Sequence, residues 1–165
     1  MSRTSFVIRR AQPEDWQRVM AVMPDWWGGR DLRALLPRIF FEHFRGTSFV
    51  AEHEDELAGF LVGFVCPTHA GEGYVHFSGV APAWRRAGVA RDMYRRFGDA
   101  ARVAGCTHVR AITSVVNRDS IAFHQRMGFT LLPGEFEIDD LRAFGDPNVP
   151  EGAVVKFELR LDGAR

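Results

Sequence analysis

The chain is poor in several features that would assign it a class outright. Among its 165 residues there are two cysteines, Cys66 and Cys106, too few for the disulfide framework of a small secreted domain. Both fall on apolar segments and read as free, buried thiols. Lys156 is the single lysine among 21 basic residues and lies far from any glycine-rich loop, which excludes the Walker phosphate-binding pattern. The arginine excess reads as a composition bias. The longest apolar run, Phe60 to Cys66, is too short to cross a bilayer, and the N-terminus, with Arg3, Arg9 and Arg10, lacks a secretory apolar stretch. A cytoplasmic protein is expected. Net charge is absent too: 21 basic residues meet 21 acidic ones, so neither nucleic acid nor a membrane surface is an expected partner. There is no internal repeat or low-complexity tract. With 46% hydrophobic residues, the length suits a single domain over residues 1–165.

What is present is concentrated first in Gly79 to Arg91. Tyr74, His76, Ser78 and Val80 alternate with Val75, Phe77 and Gly79, the period of a strand, and Pro82 should end it. Val89, Met93, Phe97, Ala101 and Ala104 then recur at helical spacing, with Arg91, Arg95, Arg96 and Arg102 left to water. A helix start exposes unpaired N–H groups and the positive end of the helix dipole. Here Gly88 permits close approach, and Arg85 and Arg86 add charge, so the junction suits a phosphorylated ligand. The dinucleotide fingerprint is excluded, because the two glycines of this stretch, Gly79 and Gly88, stand nine residues apart.

The remaining elements follow from the same periodicities. Ser5 to Arg9 predicts a first strand, and Gln12-Pro13-Glu14-Asp15 starts a helix that carries Trp16, Val19, Met20 and Met23 and breaks at Pro24. Leu32 to Phe40 predicts a second helix. Phe49 to Glu52 and Leu57 to Val65 predict a hairpin, its second strand apolar on both faces and therefore central. Pro67 to Gly73 reads as a loop. Val109 to Ile112 predicts a strand, Thr130 to Leu132 another, Asp139 to Phe144 a short helix, and Val155 to Leu161 a final alternating strand.

Between the strand at Val109 and that at Thr130 lies a second informative block, Asn117 to Phe129. Asn117 is a favoured helix N-cap, and Gly128 stands where a helix-terminating glycine would. Asn117, Ser120, Ile121 and His124 share one face of that helix. Arg85-x-x-Gly88-x-Ala90, preceded by Val80-Ala81-Pro82, resembles the Arg/Gln-x-x-Gly-x-Gly/Ala signature of the GNAT N-acetyltransferase superfamily. Asn117-x-x-Ser120 through Gly128-Phe129 resembles its second block, with His124 where tyrosine is most often found.

That resemblance implies an α/β fold: about seven strands in a mixed, mostly antiparallel sheet, splayed between the fourth and fifth strands, with helices on both faces. It implies acetyl-CoA as co-substrate and a direct, ternary-complex transfer to a primary amine of a small molecule or amino acid. Amides of Arg86, Ala87, Gly88, Val89, Ala90 and Arg91 would hold the pyrophosphate, with Arg85 adding charge to the coenzyme site, and Gly79, Val80 and Ala81 would pair with the pantetheine arm. Asn117, Ser120 and His124 would complete the coenzyme site. The Val80 N–H would stabilise the oxyanion, and His124 would be the general acid at the sulfur. His76, four residues before Val80 and so expected on the same face, is the candidate base, with Glu72 or a water as its competitors. No cysteine falls in either motif to act as a covalent nucleophile.

The resemblance places the acceptor pocket partly at the connection between the first two helices, which carries Trp26, Trp27 and Arg30, and partly at the late strands, where the acids of Glu135 to Asp140 read more readily as a solvated face. His69, Glu72 and His76 suit no metal-ligand spacing and no cysteine joins them, so no metal is expected. Two other readings stay open, a non-catalytic acyl-CoA sensor and an acetyltransferase acting on a protein N-terminus or lysine. So does a homodimer.

Overall fold

The computed structural model describes residues 5–161; Arg3, counted above among the N-terminal charges, lies outside them. In chain order the elements are β1 (Val7–Arg10), α1 (Asp15–Trp26), α2 (Ile39–Glu42), β2 (Phe49–His53), β3 (Glu56–Val65), β4 (Glu72–Val80), α3 (Val89–Val103), β5 (His108–Ser114), α4 (Arg118–Arg126), β6 (Thr130–Leu131), β7 (Phe136–Ile138), β8 (Leu141–Gly145) and β9 (Ala153–Arg160). The strands form one mixed sheet in the order β1-β2-β3-β4-β5-β9-β8-β7, with β6 also on β9. Among the described residues only the β4–β5 pair is parallel.

Each face of the sheet carries its own core. Val89, Met93, Phe97 and Ala101, the apolar stripe of α3, pack with Leu61, Val75, Val109 and Phe157 on one side. Val19, Met23 and Trp26 of α1 pack with Phe40, Phe41, Phe60 and Val62 on the other. β3, buried along most of its length, is the shared wall, as its two-sided apolar sequence requires.

Four local readings need correction. Pro24 does not end α1; it sits in the last turn, and the helix runs on to Trp26. Leu32 to Phe40 is not one helix: a 3-10 turn at Arg33–Leu35 and the short α2 are separated around Pro37, which cannot continue a helical hydrogen-bond ladder. Asp139 to Phe144 is not helical. Asp139 and Asp140, both at positive φ, form the two-residue turn of the β7–β8 hairpin, closed by Ile138 opposite Leu141. This hairpin raises the strand count to nine among the described residues. Glu72, expected in a loop, is the first residue of β4 and is buried.

β4 and β5 pair only through Glu72, Gly73 and Tyr74, opposite His108, Val109 and Arg110. Beyond Tyr74 the two strands part. The register between β3 and β4 shifts there: Val62 lies opposite Phe77 but Gly63 opposite Val75, so His76 is an extra, bulged residue. A bulge bends its strand and increases local twist, which steers the rest of β4 away from β5.

Candidate active site

The bulge decides what β4 presents to the gap. Because His76 is inserted, parity changes beside it, and His76 does not share a face with Val80. The His76 ring stacks on Phe40 at 4.5 Å, on the α1 side, while Val80 packs with the α3 core. Backbone direction follows from the same register. The Ala81 N–H donates to the Ala58 carbonyl at 2.9 Å, and Val80 lies opposite Gly59 one step along the ladder. Antiparallel pairs alternate between bonded and non-bonded, so Gly79 and Ala81 direct their peptide groups to β3, and Ser78 and Val80 direct theirs into the gap. Of the three residues expected to offer backbone to a ligand, only Val80 turns its peptide groups into the gap. Gly79 instead makes room for Trp27, since a Cβ at this position would collide with the indole ring.

On the α3 side of the gap runs a buried chain of polar groups. His124 Nδ1 lies 2.8 Å from the Ser120 carbonyl, which can only accept, so this nitrogen carries the proton. Nε2 is then an acceptor and receives the Tyr94 hydroxyl at 2.9 Å. Ser78 Oγ follows at 3.3 Å from Tyr94 Oη. Burial pushes the His124 pKa down, against the opposing pull of the Ser120 carbonyl. Burial also pushes Tyr94 up to about 12, with the Ser78 contact opposing it. Both nitrogens of His124 are thus engaged, and the ring, only 5% exposed, has no spare N–H for a leaving group. The hydroxyl nearest that duty belongs to Tyr94.

At the end of the gap stands the start of α3. Its N-cap is Gly88, in a left-handed conformation with φ of 90°, and no side chain caps the helix. The amides of Val89, Ala90 and Arg91 therefore lack partners from a helical ladder, as any first turn does. Ala87 is not available in the same way, since its N–H donates to the Trp84 carbonyl at 3.2 Å. Nor does the Arg85 side chain face outward as free charge; its Nη2 donates to the Trp26 carbonyl at 2.6 Å and ties this loop to the end of α1. Arg86 is exposed, at a positive φ of 68°.

Gap and faces together enclose a cavity of about 330 Å3 that crosses the sheet. Trp27, Arg30, Leu35, His76 and Phe77 line it on one side, and Ser78, Tyr94, Asn117, Ser120 and His124 on the other. Asn117 Oδ1 accepts the Ser120 N–H at 3.2 Å, so Asn117 is the N-cap of α4 while also lining the cavity. Trp26 is absent from the lining; it is buried and stacks on Phe60 as part of the core. Glu135 to Asp140 do not line it either, and the acidic wall comes from Asp146 and Glu151. Glu72 lies elsewhere, with His108 and Arg110 at the paired end of β4.

A cavity where the parallel strands part, and an uncapped glycine-led helix start in the segment after β4, agree with the family comparison, although Val80 and residues 85–91 do not themselves line the cavity. The profile described as the acetyltransferase (GNAT) family matches residues 9–129. This chain belongs to that family. The fold is shared with solved GNAT-type structures. One is the diaminobutyrate acetyltransferase EctA from Paenibacillus lautus in complex with L-2,4-diaminobutyric acid and coenzyme A, at 22% identity and TM-score 0.72, covering 98% of this chain and 99% of that one. Another is YncA from Salmonella typhimurium with its cofactor acetyl-CoA, at 19% identity and TM-score 0.69, covering 96% and 95%. A third is the ribosomal-protein-S18-alanine N-acetyltransferase from Escherichia coli, at 15% identity and TM-score 0.63, covering 98% and 97%. No sequence among the curated proteins matches the chain.

Membership of the acetyltransferase (GNAT) family makes the chain an acyltransferase. Among the described residues, no helix is long and apolar enough to cross a membrane. Sequence reasoning missed Tyr94, although it sits three residues before Phe97 and seven before Ala101, on the buried stripe of α3. A tyrosine on such a stripe needs a partner for its hydroxyl, and that requirement was the available signal.

Proposed function

We propose that this GNAT chain transfers the acetyl group of acetyl-CoA to the primary amine of a small molecule that also carries a carboxylate, such as an amino acid, by direct attack in a ternary complex. The observation that carries this reading is the cavity through the sheet, which joins the free edge of β4 to a pocket with separated charges of both signs. Arg30 has no ion-pair partner among the described residues, and neither Asp146 nor Glu151 has a cationic one. An exposed arginine suits the carboxylate of an acceptor, and the two acids suit its ammonium group.

Bound acetyl-CoA supplies an activated thioester. The first-turn amides Val89, Ala90 and Arg91, with Gly88 leaving room, are the groups that would hold its pyrophosphate. The Val80 peptide, turned into the gap, would bond the extended arm and give its N–H to negative charge developing on the carbonyl oxygen. Asn117 and Ser120 would line the arm from α4. On the acceptor face, the His76 Nε2–H is given to the Leu35 carbonyl at 2.6 Å, which leaves the Nδ1 lone pair to take a proton from the amine. For the departing thiolate the donor is the Tyr94 hydroxyl, which stays protonated across the neutral range and would turn from His124 to the sulfur. His124 acts through Tyr94 as a positioning residue. Trp27 packs against Phe77 and forms the apolar wall of the acceptor pocket.

The test is a panel of amines with acetyl-CoA and detection of released thiol. An amino acid should be turned over with a kcat/KM at least about tenfold above that of its decarboxylated analogue, a difference set by one charge-assisted contact. In Arg30→Ala the difference should vanish. Coenzyme binding without turnover of any amine would contradict the enzyme reading and favour the sensor. Turnover confined to peptides would favour a protein N-terminus or lysine as acceptor.

A further inference from the structure

We propose that Cys66, His69 and Glu72 form a site for a thiophilic divalent cation of the zinc type, separate from the acetyl-transfer cavity. The three residues sit on the β3–β4 connection at the end of β4 remote from Val80. Sequence spacing put His76 in this company and left cysteine out. The fold does the reverse: His76 is carried away to the acceptor face, and Cys66, just past the end of β3, comes round to face His69.

The loop is closed by its own backbone. Cys66 N–H donates to the Glu72 carbonyl at 2.8 Å, and Glu72 N–H to the His69 carbonyl at 3.3 Å. This brings one ligand atom from each of the three side chains within 4.8 Å of one another. His69 Nδ1 lies 3.5 Å from Cys66 Sγ and 3.5 Å from Glu72 Oε1. One ring nitrogen cannot donate a single proton to both neighbours. Around a tetrahedral zinc ion, with bonds of about 2.0 to 2.3 Å, adjacent ligands stand roughly 3.3 to 3.8 Å apart, and both spacings from His69 Nδ1, 3.5 Å each, fall in that range.

The surroundings fit the same occupant. The His69 backbone N–H donates to Cys66 Sγ at 3.4 Å, which fixes the sulfur on the His69 side of the loop. Glu72 Oε2, the oxygen left over, lies 3.2 Å from His108 Nε2, so an outer partner fixes the carboxylate from the first residue of β5. A thiolate and a carboxylate together neutralise a dication, with imidazole as the neutral third ligand. The thiol proton is released to solvent on binding, and the ring then keeps its own proton on Nε2. His69 is 68% exposed at its side chain, which leaves a path for the ion and a fourth position for water. Bound there, the cation fastens the β3–β4 turn to the point where β4 and β5 are still paired.

The experiment uses the full chain, free of any affinity tag, stripped with chelator under reducing conditions and titrated with Co2+. The expected result is about one equivalent bound, with thiolate-to-cobalt charge-transfer absorption and the visible bands of a tetrahedral ion, displaced by Zn2+. Zn2+ should also raise the melting temperature of the stripped protein. Both effects should disappear in Cys66→Ser and His69→Ala and persist in Cys106→Ser. Absence of the charge-transfer band in the wild-type protein, or its survival in Cys66→Ser, would overturn the proposal.

Discussion

Tyr94 Oη stands 2.9 Å from His124 Nε2, and since His124 gives its only proton to the Ser120 carbonyl, the hydrogen in that bond is tyrosine's. Two residues thirty apart in sequence, one on α3 and one on α4, are joined by this contact. On the proposed mechanism this relation assigns the proton for the leaving group to the hydroxyl of α3 rather than to the imidazole of α4.

Tyr94→Phe should therefore lower kcat by about a hundredfold, the scale of a lost proton donor, while coenzyme affinity stays within about twofold. His124→Ala should also lower kcat, and the double substitution should cost little more than Tyr94→Phe alone, because the two act as one unit. Steady-state kinetics with calorimetric coenzyme titration checks both. Full additivity would show that the two residues act separately.

His124 also predicts a pH dependence of stability. Its folded pKa is depressed by burial, so its contribution is fully present above the unfolded value of about 6.5 and is lost as pH falls through the lower folded value. The melting temperature should fall on acidification below about pH 6.5. In His124→Gln this part of the slope should be missing.

A second, more acidic window belongs to Asp15. Burial pulls its pKa up, but hydrogen bonds from Arg9, the Gln12 N–H and Arg18 outweigh that and hold it below the usual carboxylate value. The stabilisation is present above about pH 4 and lost as pH falls through the folded pKa. Asp15→Asn should cost about 1–2 kcal/mol at neutral pH, less than an enclosed pair, because the Arg9 and Arg18 side chains are 35% and 33% exposed. Chemical denaturation at several pH values measures it.

Gly88→Asp should weaken coenzyme binding by more than about tenfold, through repulsion of the pyrophosphate at the helix start and through strain at positive φ. Gly88→Ala carries the strain without the charge and should lose less. Calorimetry on the two variants separates the causes.

The strand–helix units around Gly79 and Asn117 were legible because each is set locally, by alternation, a stop signal and a cap. What escaped was set at a distance. The bulge at His76 depends on how β3 and β4 align, and no pattern in β4 alone announces it; with it went the expectation that His76 and Val80 share a face. Trp26 and Trp27 look equivalent in sequence, yet the helix turn sends one into the core and the other to the cavity. The hairpin at Asp139 and Asp140 was missed although its signal was present, two acids able to take positive φ between Phe136, Ile138 and Leu141, Ala143. Cys66 could be joined to His69 only once the loop was seen to fold back.

Amide hydrogen exchange with and without coenzyme A tests the central claim most directly. Binding along the free edge of β4 and on the α3 start should slow exchange at Val80 and at Val89, Ala90 and Arg91, while Gly79 and Ala81, already bonded to β3, change little. Unaltered exchange at Val80 with slowing elsewhere on the molecule would contradict it.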